Sequence, residues 1–424
     1  MLRRDEMANR LANGSPLRFL FVNDLGFQHG GGIAMARQVH SLLLRGHEVA
    51  ALCQWRWPEP ESLIPPAAHC TGAWLGLQHL TDVKPGFPWW TPEAISAAVA
   101  RECAKAYPDV IIVGNLHSVG WPLSVLAELR RTGALVVAYM HDCHLFTGRC
   151  AYPGPCEQHL SGCTPSCRTA HLKPVLAPEL IPAAWAYRRQ LFCGRSGISV
   201  ATNSRWTLDQ MRRSMPGVKH ADVVHLALDE RVFSPGDKAA ARTALGIPQD
   251  KLVVLGGAVD MEDPRKGADL LKGIIERLRD EAHFVIFGHA SEQLAGVQPL
   301  PYSQDPARAA LLNQAADIFV GTSREEAFGQ TVLEAAACAV PCVALNAGGI
   351  PDIIEHGVTG YLARRASPAE ELGEMTAAVQ AYLREADLRR VHGEAARNKV
   401  EQHYTLQLQG QRWERFVQAA LAAS

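Results

Sequence analysis

The sequence predicts an α/β protein built from two doubly wound, largely parallel sheets, and three observations predict it. Short apolar runs of strand length alternate with amphipathic helical stretches along most of the chain. The opening pattern of apolar run, glycine-containing loop, helix and second apolar run occurs near the start and again past the middle. Between the halves lies a polar stretch, Ala227 to Gly236, in which Asp229-Glu230-Arg231 and Ser234-Pro235-Gly236 have the composition of a domain linker.

The first half opens with Phe19-Leu20-Phe21-Val22 and a loop ending in Gly30-Gly31-Gly32. An amphipathic helix then runs through Leu44, stops at Gly46 and leads into Val49-Ala50-Ala51-Leu52. The second half repeats the plan: Leu252 to Leu255, a glycine-containing loop to Gly267, a helix with Leu270, Leu271, Ile274, Ile275 and Leu278 on one face, and a strand from His283 to Gly288. Further strands are expected at Asp109 to Val113, Ala134 to Tyr139 and Ile198 to Ala201, then at Ile318 to Val320 and Pro341 to Leu345. These runs do not alternate apolar with polar, so both sheet faces must be covered, which favours parallel strands joined by helices. Such sheets bind ligands at the carboxyl ends of their strands. The expected division is residues 1–230, residues 231–400, and a C-terminal helix within 401–424 packing back on the first domain.

The chain has 424 residues, 47% of them hydrophobic, enough for two cores. Its formal charge is −1 from 42 basic and 43 acidic residues, so there is no global field to hold nucleic acid, and none is expected as a partner. The charged start Met1 to Glu6 lacks the apolar stretch of a secretory signal, which points to a cytoplasmic protein. The most apolar window, Val332 to Leu345, carries Glu334 and Pro341 and falls short of the roughly 18 residues of a spanning helix. Membrane contact is therefore expected to be peripheral, at the inner face. Eleven cysteines in a reducing compartment read as buried thiols or metal ligands rather than disulfides.

The segment Thr322 to Ala337 carries the clearest chemistry. Glu334 is the only charged side chain between Gln330 and Gly349, and it sits among Val, Leu and Ala on a helix that precedes a buried strand. An isolated carboxylate there needs donors. Two vicinal ribose hydroxyls would supply them, while the first-turn amides near Gln330 and Thr331 are placed to take a diphosphate. The alternative is a carboxylate that simply favours the helix dipole.

The pattern Ser323-x-x-Glu326-x-Phe328-Gly329-x4-Glu334-Ala335-x-Ala337-x3-Pro341, followed by Gly348-Gly349-Ile350-Pro351-Asp352, resembles the paired-glutamate segment of glycosyltransferase family 4. Gly30-Gly31-Gly32-Ile33-Ala34 resembles that family's first glycine loop, with Gly31 and Gly32 as donor-side positions, and Arg265-Lys266-Gly267 its donor-phosphate lysine. The resemblance extends over nearly the whole chain. It implies the GT-B fold, two Rossmann-like domains facing across a cleft, and retaining transfer of a hexose from a UDP- or GDP-linked sugar to a saccharide or lipid-linked acceptor, as in cell-surface polysaccharide synthesis. It also implies Glu326 near the donor sugar, Glu334 on the ribose, and Phe328, Gly329, Gln330 and Thr331 around the donor. No Asp-x-Asp occurs in the sequence, so Lys266 is expected to replace a metal as the fixed positive charge on the departing diphosphate, and no catalytic cofactor is expected. Where the family carries a separate arginine before the lysine, this chain is acidic from Asp260 to Asp263, which leaves Arg265 as the residue that could substitute.

His141-Asp142 follows the strand ending at Tyr139, and His117 follows the strand ending at Val113, so both histidines fall at carboxyl strand ends. The resemblance puts His141 beside the donor sugar and leaves His117 as an acceptor-side candidate. Cys150, Cys156, Cys163 and Cys167 crowd one Pro/Gly-rich loop within residues 143–170. They could close a structural zinc site or form a buried or redox-active thiol group. Polysaccharide-building members resemble this segment through His-Asp-x3-Phe-Thr-Gly-x-Cys-x-Tyr at 141–152. Trp55, Arg56 and Trp57, and then Phe87-Pro88-Trp89-Trp90, offer flat rings for a sugar face or a membrane interface, with core packing as the equal alternative. Trp89 and Trp90 are the acceptor-side candidates among them.

Two other functions fit two α/β halves. A nicotinamide dehydrogenase would carry Gly-x-Gly-x-x-Gly after a lead strand, and neither lead strand is followed by it. A GT-B protein that binds a sugar nucleotide without transferring it would show the same fold, and Glu326, Lys266 and His141 together argue for turnover.

Overall fold

The computed structural model describes residues 2–54, 70–80, 82–87, 89–194 and 197–423. The chain divides into two compact units: Met1–Ala227 with Leu406–Ser424, and Leu228–Thr405. Leu228 and Thr405, where the chain enters and leaves the second unit, pair in a parallel bridge. The division falls at Leu228 and Leu406, a few residues from the 231 and 401 expected above.

Unit 1 contains the strands β1 (Arg18–Val22), β2 (Glu48–Cys53), β3 (Ala73–His79), β4 (Val110–Val113), β5 (Leu135–Met140), β6 (Ser199–Thr202) and β7 (Ala221–Val223), in the spatial order β3-β2-β1-β4-β5-β6-β7. Unit 2 contains β8 (Val253–Asp260), β9 (His283–His289), β10 (Val297–Leu300), β11 (Ile318–Gly321), β12 (Cys342–Leu345) and β13 (Gly360–Ala363), in the order β10-β9-β8-β11-β12-β13. All the pairings are parallel. Each sheet reverses its winding direction beside its first strand, between β1 and β4 and between β8 and β11, which is where a doubly wound sheet leaves a crevice.

The central strands have the composition their position demands. Val110, Ile111, Ile112 and Val113 are all at most 1% exposed, because helices cover both faces of β4. The five apolar residues predicted on one face of the second-half helix, now Ala268–Leu278, are buried in the unit 2 core. Each such side chain contributes about 1.5–3 kcal/mol relative to exposure. The edge strands β3, β7, β10 and β13 were not predicted: their patterns are mixed and partly exposed, as in Ala73–His79, so periodicity does not mark them.

One further expectation needs correction. Gly30, Gly31 and Gly32 do not end a loop; they lie in the first turn of a helix that begins at His29. The charged start is helical over Leu2–Ala12, and Arg10 reaches Asp109 at 3.0 Å.

The C-terminal helix Leu406–Ala423 belongs to unit 1 and packs against helix His29–Leu44. Glu414 accepts hydrogen bonds from Arg45 Nε and Nη2, both at 3.0 Å, and its Oε1 lies 3.2 Å from His47 Nε2. Burial alone would raise the Glu414 carboxyl, but these partners hold it below its ordinary value. Trp413 is fully buried, its ring 5.6 Å from that of Tyr139 on β5. No described helix is long and apolar enough to cross a membrane.

Candidate functional site

In unit 2 the carboxyl ends of the two strands at the winding reversal, β8 and β11, bring two loops together. Register pairs Val320 with Gly256; β11 ends one residue later, at Gly321, while β8 continues to Asp260. After β8, Asp263 caps a short 3-10 turn, Pro264–Lys266, by accepting from Arg265 N at 3.0 Å. After β11, Thr322 Oγ1 donates to the carbonyl of Lys266 at 2.8 Å, and Arg324 N donates to the carbonyl of Arg265 at 2.7 Å. These bonds lock the lysine turn to the glutamate loop.

The result is a direct contact between the two residues predicted for catalysis in this half. Lys266 Nζ donates to Glu326 Oε2 at 2.8 Å, with the two side chains 21% and 19% exposed. They line one small pocket with Gly257, Gly321, Thr322, Ser323, Gly329, Thr331, Val332 and Ile350. Thr322 and Gly257 were not anticipated; Thr322 directly follows β11, and that strand-end position was the available signal, whereas Gly257 lies inside β8.

Two glycines shape this loop. Gly348 has φ +54°, and a Cβ there would sit 1.8 Å from the carbonyl oxygen of Glu326, which accepts from Gly349 N at 2.9 Å. Gly329 has φ +105° and precedes helix Gln330–Ala337 as its N-cap with no side-chain cap, so no capping oxygen competes for the first-turn amides. Those amides and the positive end of the helix dipole suit an anion. Glu334 is half-buried one turn further on, outside the pocket lining. At i+4 from Gln330 and i+3 from Thr331 it shares their face, and helical side chains lean toward the N-terminus, so its carboxylate covers the surface beside that first turn.

Two predicted donor residues are placed differently. Arg265 turns to Asp263, its Nε 3.1 Å from Oδ1 and its Nη2 on Oδ2, because the acidic stretch before it supplies a partner within its own turn. Phe328 is 2% exposed and packs edge-on against Tyr404 at 6.0 Å, so it forms the floor of the loop rather than its surface.

In unit 1 the carboxyl ends of β1, β4, β5 and β6 gather polar groups that share no sequence proximity. Asn23 Oδ1 accepts from Asn115 N at 2.9 Å, and Asp24 Oδ2 accepts from Ser118 N at 2.6 Å and Val119 N at 3.0 Å. Asp24 is buried, and burial raises its carboxyl despite those donors. His117 Nε2 lies 3.5 Å from Asp142 Oδ2, and its ring lies 4.3 Å from that of His144. Gly31 faces Asn115: a Cβ at Gly31 would meet the Asn115 amide nitrogen at 3.0 Å. Gly32 is tighter still, with the backbone of Phe27 at 2.5 Å from such a Cβ.

His141 packs edge-on against Tyr139 at 4.7 Å, and its carbonyl accepts from Asn203 Nδ2 at 2.9 Å. Burial, reinforced by nearby His117, pushes its imidazole down to about 3. The ring is therefore neutral at physiological pH, a polar group without charge. His144 is likewise held well below its ordinary value by burial and by Arg188. Its Nδ1 faces the carbonyl of Arg149 at 2.8 Å and its Nε2 faces Arg188 Nη2 at 3.1 Å, which assigns the proton to Nδ1. Sequence reasoning missed Asn23, Asp24, His144 and Asn203, because only the sheet register brings them to one edge.

The two aromatic candidates part company. Trp89 is 68% exposed, beside Phe87 at 5.3 Å, whereas Trp90 packs against the unit 1 core. Trp55, Arg56, Trp57 and Pro88 lie outside the described residues. Cys150, Cys156, Cys163 and Cys167 are free thiols, and they are not among groups whose ligand atoms lie within 4.8 Å of one another. Among the described residues Asp260, Glu262 and His289 do reach that spacing, all three exposed.

Comparison with known proteins agrees with this architecture. Over 96% of its length the chain aligns with all of sucrose-phosphate synthase from Thermosynechococcus elongatus, with a TM-score of 0.70 and 18% identity. Over 94% it aligns with 98% of Anabaena Alr3699/HepE, solved in complex with UDP and glucose, with a TM-score of 0.66 and 16% identity. The fold is the GT-B fold of glycosyltransferases. At the level of sequence, residues 250–385 match the family model described as Glycosyl transferases group 1, a span that contains Lys266, Glu326 and Glu334. The chain is 35% identical over 177 residues to D-inositol 3-phosphate glycosyltransferase of Mycolicibacterium gilvum, a match that covers 37% of this chain and 39% of that relative's length.

Proposed function

We propose that the protein is a retaining glycosyltransferase that moves a hexose from a UDP- or GDP-linked donor to a saccharide or lipid-linked acceptor, without a catalytic metal. The observation that supports this best is the Lys266–Glu326 contact at 2.8 Å, in a pocket whose rim is the first turn of helix Gln330–Ala337. A departing nucleoside diphosphate gathers negative charge. A lysine held by a carboxylate in a half-buried pocket, next to first-turn amides, supplies fixed positive potential where that charge develops.

In this reading the phosphates take the Thr331-side amides and Lys266, and Glu334 accepts from the ribose hydroxyls. Glu326 orients Lys266 in the resting protein and turns to the sugar when the diphosphate engages the ammonium. The family resemblance assigns His141, whose ring is neutral, to the positive charge developing at the anomeric carbon. The departing phosphate assists the incoming hydroxyl, so no glutamate is bonded to the sugar and the product keeps the donor's configuration. The protein works at the cytoplasmic face of the membrane on acceptors of cell-surface polysaccharide synthesis.

The test is a mass-spectrometric screen of the purified protein against a panel of nucleotide sugars with and without chelator, followed by NMR of the product's anomeric proton. Turnover of one uridine or guanosine diphosphate sugar, insensitive to chelator and with retention, is expected. Binding without turnover would instead favour a sugar-nucleotide-binding protein, and inversion or chelator-induced loss of binding would refute the mechanism.

A further inference from the structure

The loop from Thr147 to Ala177 poses a stability problem that its own sequence does not solve. Over this span the structure contains no strand and only a four-residue helix, Gln158–Ser161. Long stretches with so little secondary structure are uncommon in compact domains unless something else holds them. Apolar burial does not hold its later part, where Leu172 is 50% and Val175 67% exposed. The loop nevertheless carries four cysteines, Cys150, Cys156, Cys163 and Cys167, near enough to interact electrostatically, although no three of their sulfurs lie within 4.8 Å of one another.

Several contacts define their surroundings. Gly148 N donates to Cys163 Sγ at 3.2 Å, and a Cβ at Gly148 would meet Cys163 Cβ at 2.8 Å, so this close approach requires glycine. Arg149 Nη1 points at Cys150 Sγ at 3.7 Å and at Cys167 Sγ at 3.9 Å. Thr169 Oγ1 lies 3.4 Å from the first of these sulfurs and 3.6 Å from the second. Cys163 lies within electrostatic reach of Cys150, Cys156 and Cys167.

The charge around this cluster carries the argument. Arg149 is 2% exposed and Arg188 5% exposed. Arg149 donates to the carbonyls of Pro174, Thr169 and Leu172, and Arg188 to those of His144 and Ala184. Among the described residues neither has a carboxylate within 4.0 Å. Two buried guanidiniums with only neutral acceptors are costly, by several kcal/mol each before compensation. The groups they meet that can become anionic are the thiols: Arg149 touches two of them, and Arg188 is within electrostatic range of Cys163 and Cys150. Four neutral thiols would leave both cations uncompensated. A divalent cation on four thiolates carries a net charge of −2 and would balance both.

We propose that Cys150, Cys156, Cys163 and Cys167 form a structural zinc tetrathiolate whose double negative charge is neutralised by the buried guanidiniums of Arg149 and Arg188. Zinc suits the all-sulfur set and its closed tetrahedral geometry. Metal entry displaces the thiol protons and draws the sulfurs from their present spacing to the roughly 3.8 Å that Zn–S bonds of about 2.3 Å dictate. Cys156, Cys163 and Cys167 are only partly buried and have room for that movement. The Gly148 amide and Arg149 Nη1 are already placed as N–H···S donors, the contacts that orient metal-bound thiolates. The site is structural, with no open coordination position, and it does not depend on the transferase reading.

The experiment uses the full chain, purified under reducing conditions without chelator. Elemental analysis should find about one zinc per chain, falling below about a tenth in Cys163→Ser. Because that variant could fail for want of folding, the wild-type chain is also stripped and titrated with cobalt. Cobalt should produce the visible ligand-field and thiolate charge-transfer bands of a tetrahedral tetrathiolate, and bound metal should protect four thiols from alkylation. A folded chain that holds no zinc and gives no such cobalt spectrum overturns the proposal. A Cys150–Cys167 disulfide found by mass spectrometry in the freshly purified chain overturns it equally, since it leaves only two of the four ligands.

Discussion

Replacing Glu326 by Gln separates binding from turnover more cleanly than any other change in the unit 2 pocket. In the resting protein Lys266 Nζ and Glu326 Oε2 lie 2.8 Å apart with both side chains about four-fifths buried. At an effective dielectric of about 20 the gross attraction is about 6 kcal/mol, of which a charged hydrogen bond retains about 1.5–3 kcal/mol net. The amide keeps one hydrogen bond to the ammonium but not the charge, so Lys266 is released toward the diphosphate. Free nucleoside diphosphate should therefore bind within about threefold of wild type, or more tightly, since only the competing charge has been lost. If Glu326 acts on the sugar as charge develops, the same 1.5–3 kcal/mol is lost from the transition state, and kcat falls by about 10- to 150-fold. Calorimetry with UDP and GDP and initial rates on the screened donor measure both quantities. Unchanged kcat, or diphosphate binding abolished in Glu326→Gln but intact in Glu334→Gln, would refute the assignment of the pair.

Glu334→Gln should behave in the opposite sense, weakening nucleotide binding by roughly 1–3 kcal/mol through loss of a charge-assisted pair to the ribose, a change calorimetry reads directly. Gly348→Ala should cost about 1–3 kcal/mol of stability and also lower kcat, because its Cβ would displace the Glu326 carbonyl 1.8 Å away. Gly357→Ala is the control: φ is +75° but no atom lies within 4 Å, so its denaturation midpoint should shift by the conformational term alone, about 1 kcal/mol. His141 titrates at 6.5 when unfolded and about 3 when folded, so between those values the unfolded chain binds more protons and stability falls as pH falls. The residue as a whole is only partly buried, so the loss is discounted to about 2–4 kcal/mol. His141→Gln should flatten that acid arm in urea titrations from pH 7 to pH 4, and an unchanged slope would contradict the buried neutral ring.

The features of this protein that depend on local pattern are legible in its sequence. The strands buried on both faces, such as Val110–Val113 and Val253–Leu255, have no polar alternation, and the helix Ala268–Leu278 shows its core face at helical spacing. Glu334 stood out because an apolar helix carried a single charge, and Lys266 because it ended a glycine-containing loop after a lead strand.

Tertiary structure decided what depends on distance along the chain. Lys266 and Glu326 are sixty residues apart and meet because β8 and β11 are neighbours in register at the winding reversal. Asn23, Asp24, His144 and Asn203 join His117 and Asp142 at one sheet edge through four strands, and no local pattern distinguishes those first four from surface polar residues. Arg265 and Phe328 show the converse. Both match a motif, but an acidic neighbour captures one and burial against Tyr404 captures the other. A motif specifies residue type and spacing, whereas the partner a side chain takes is set by whatever charge or apolar surface the fold brings within a few ångströms.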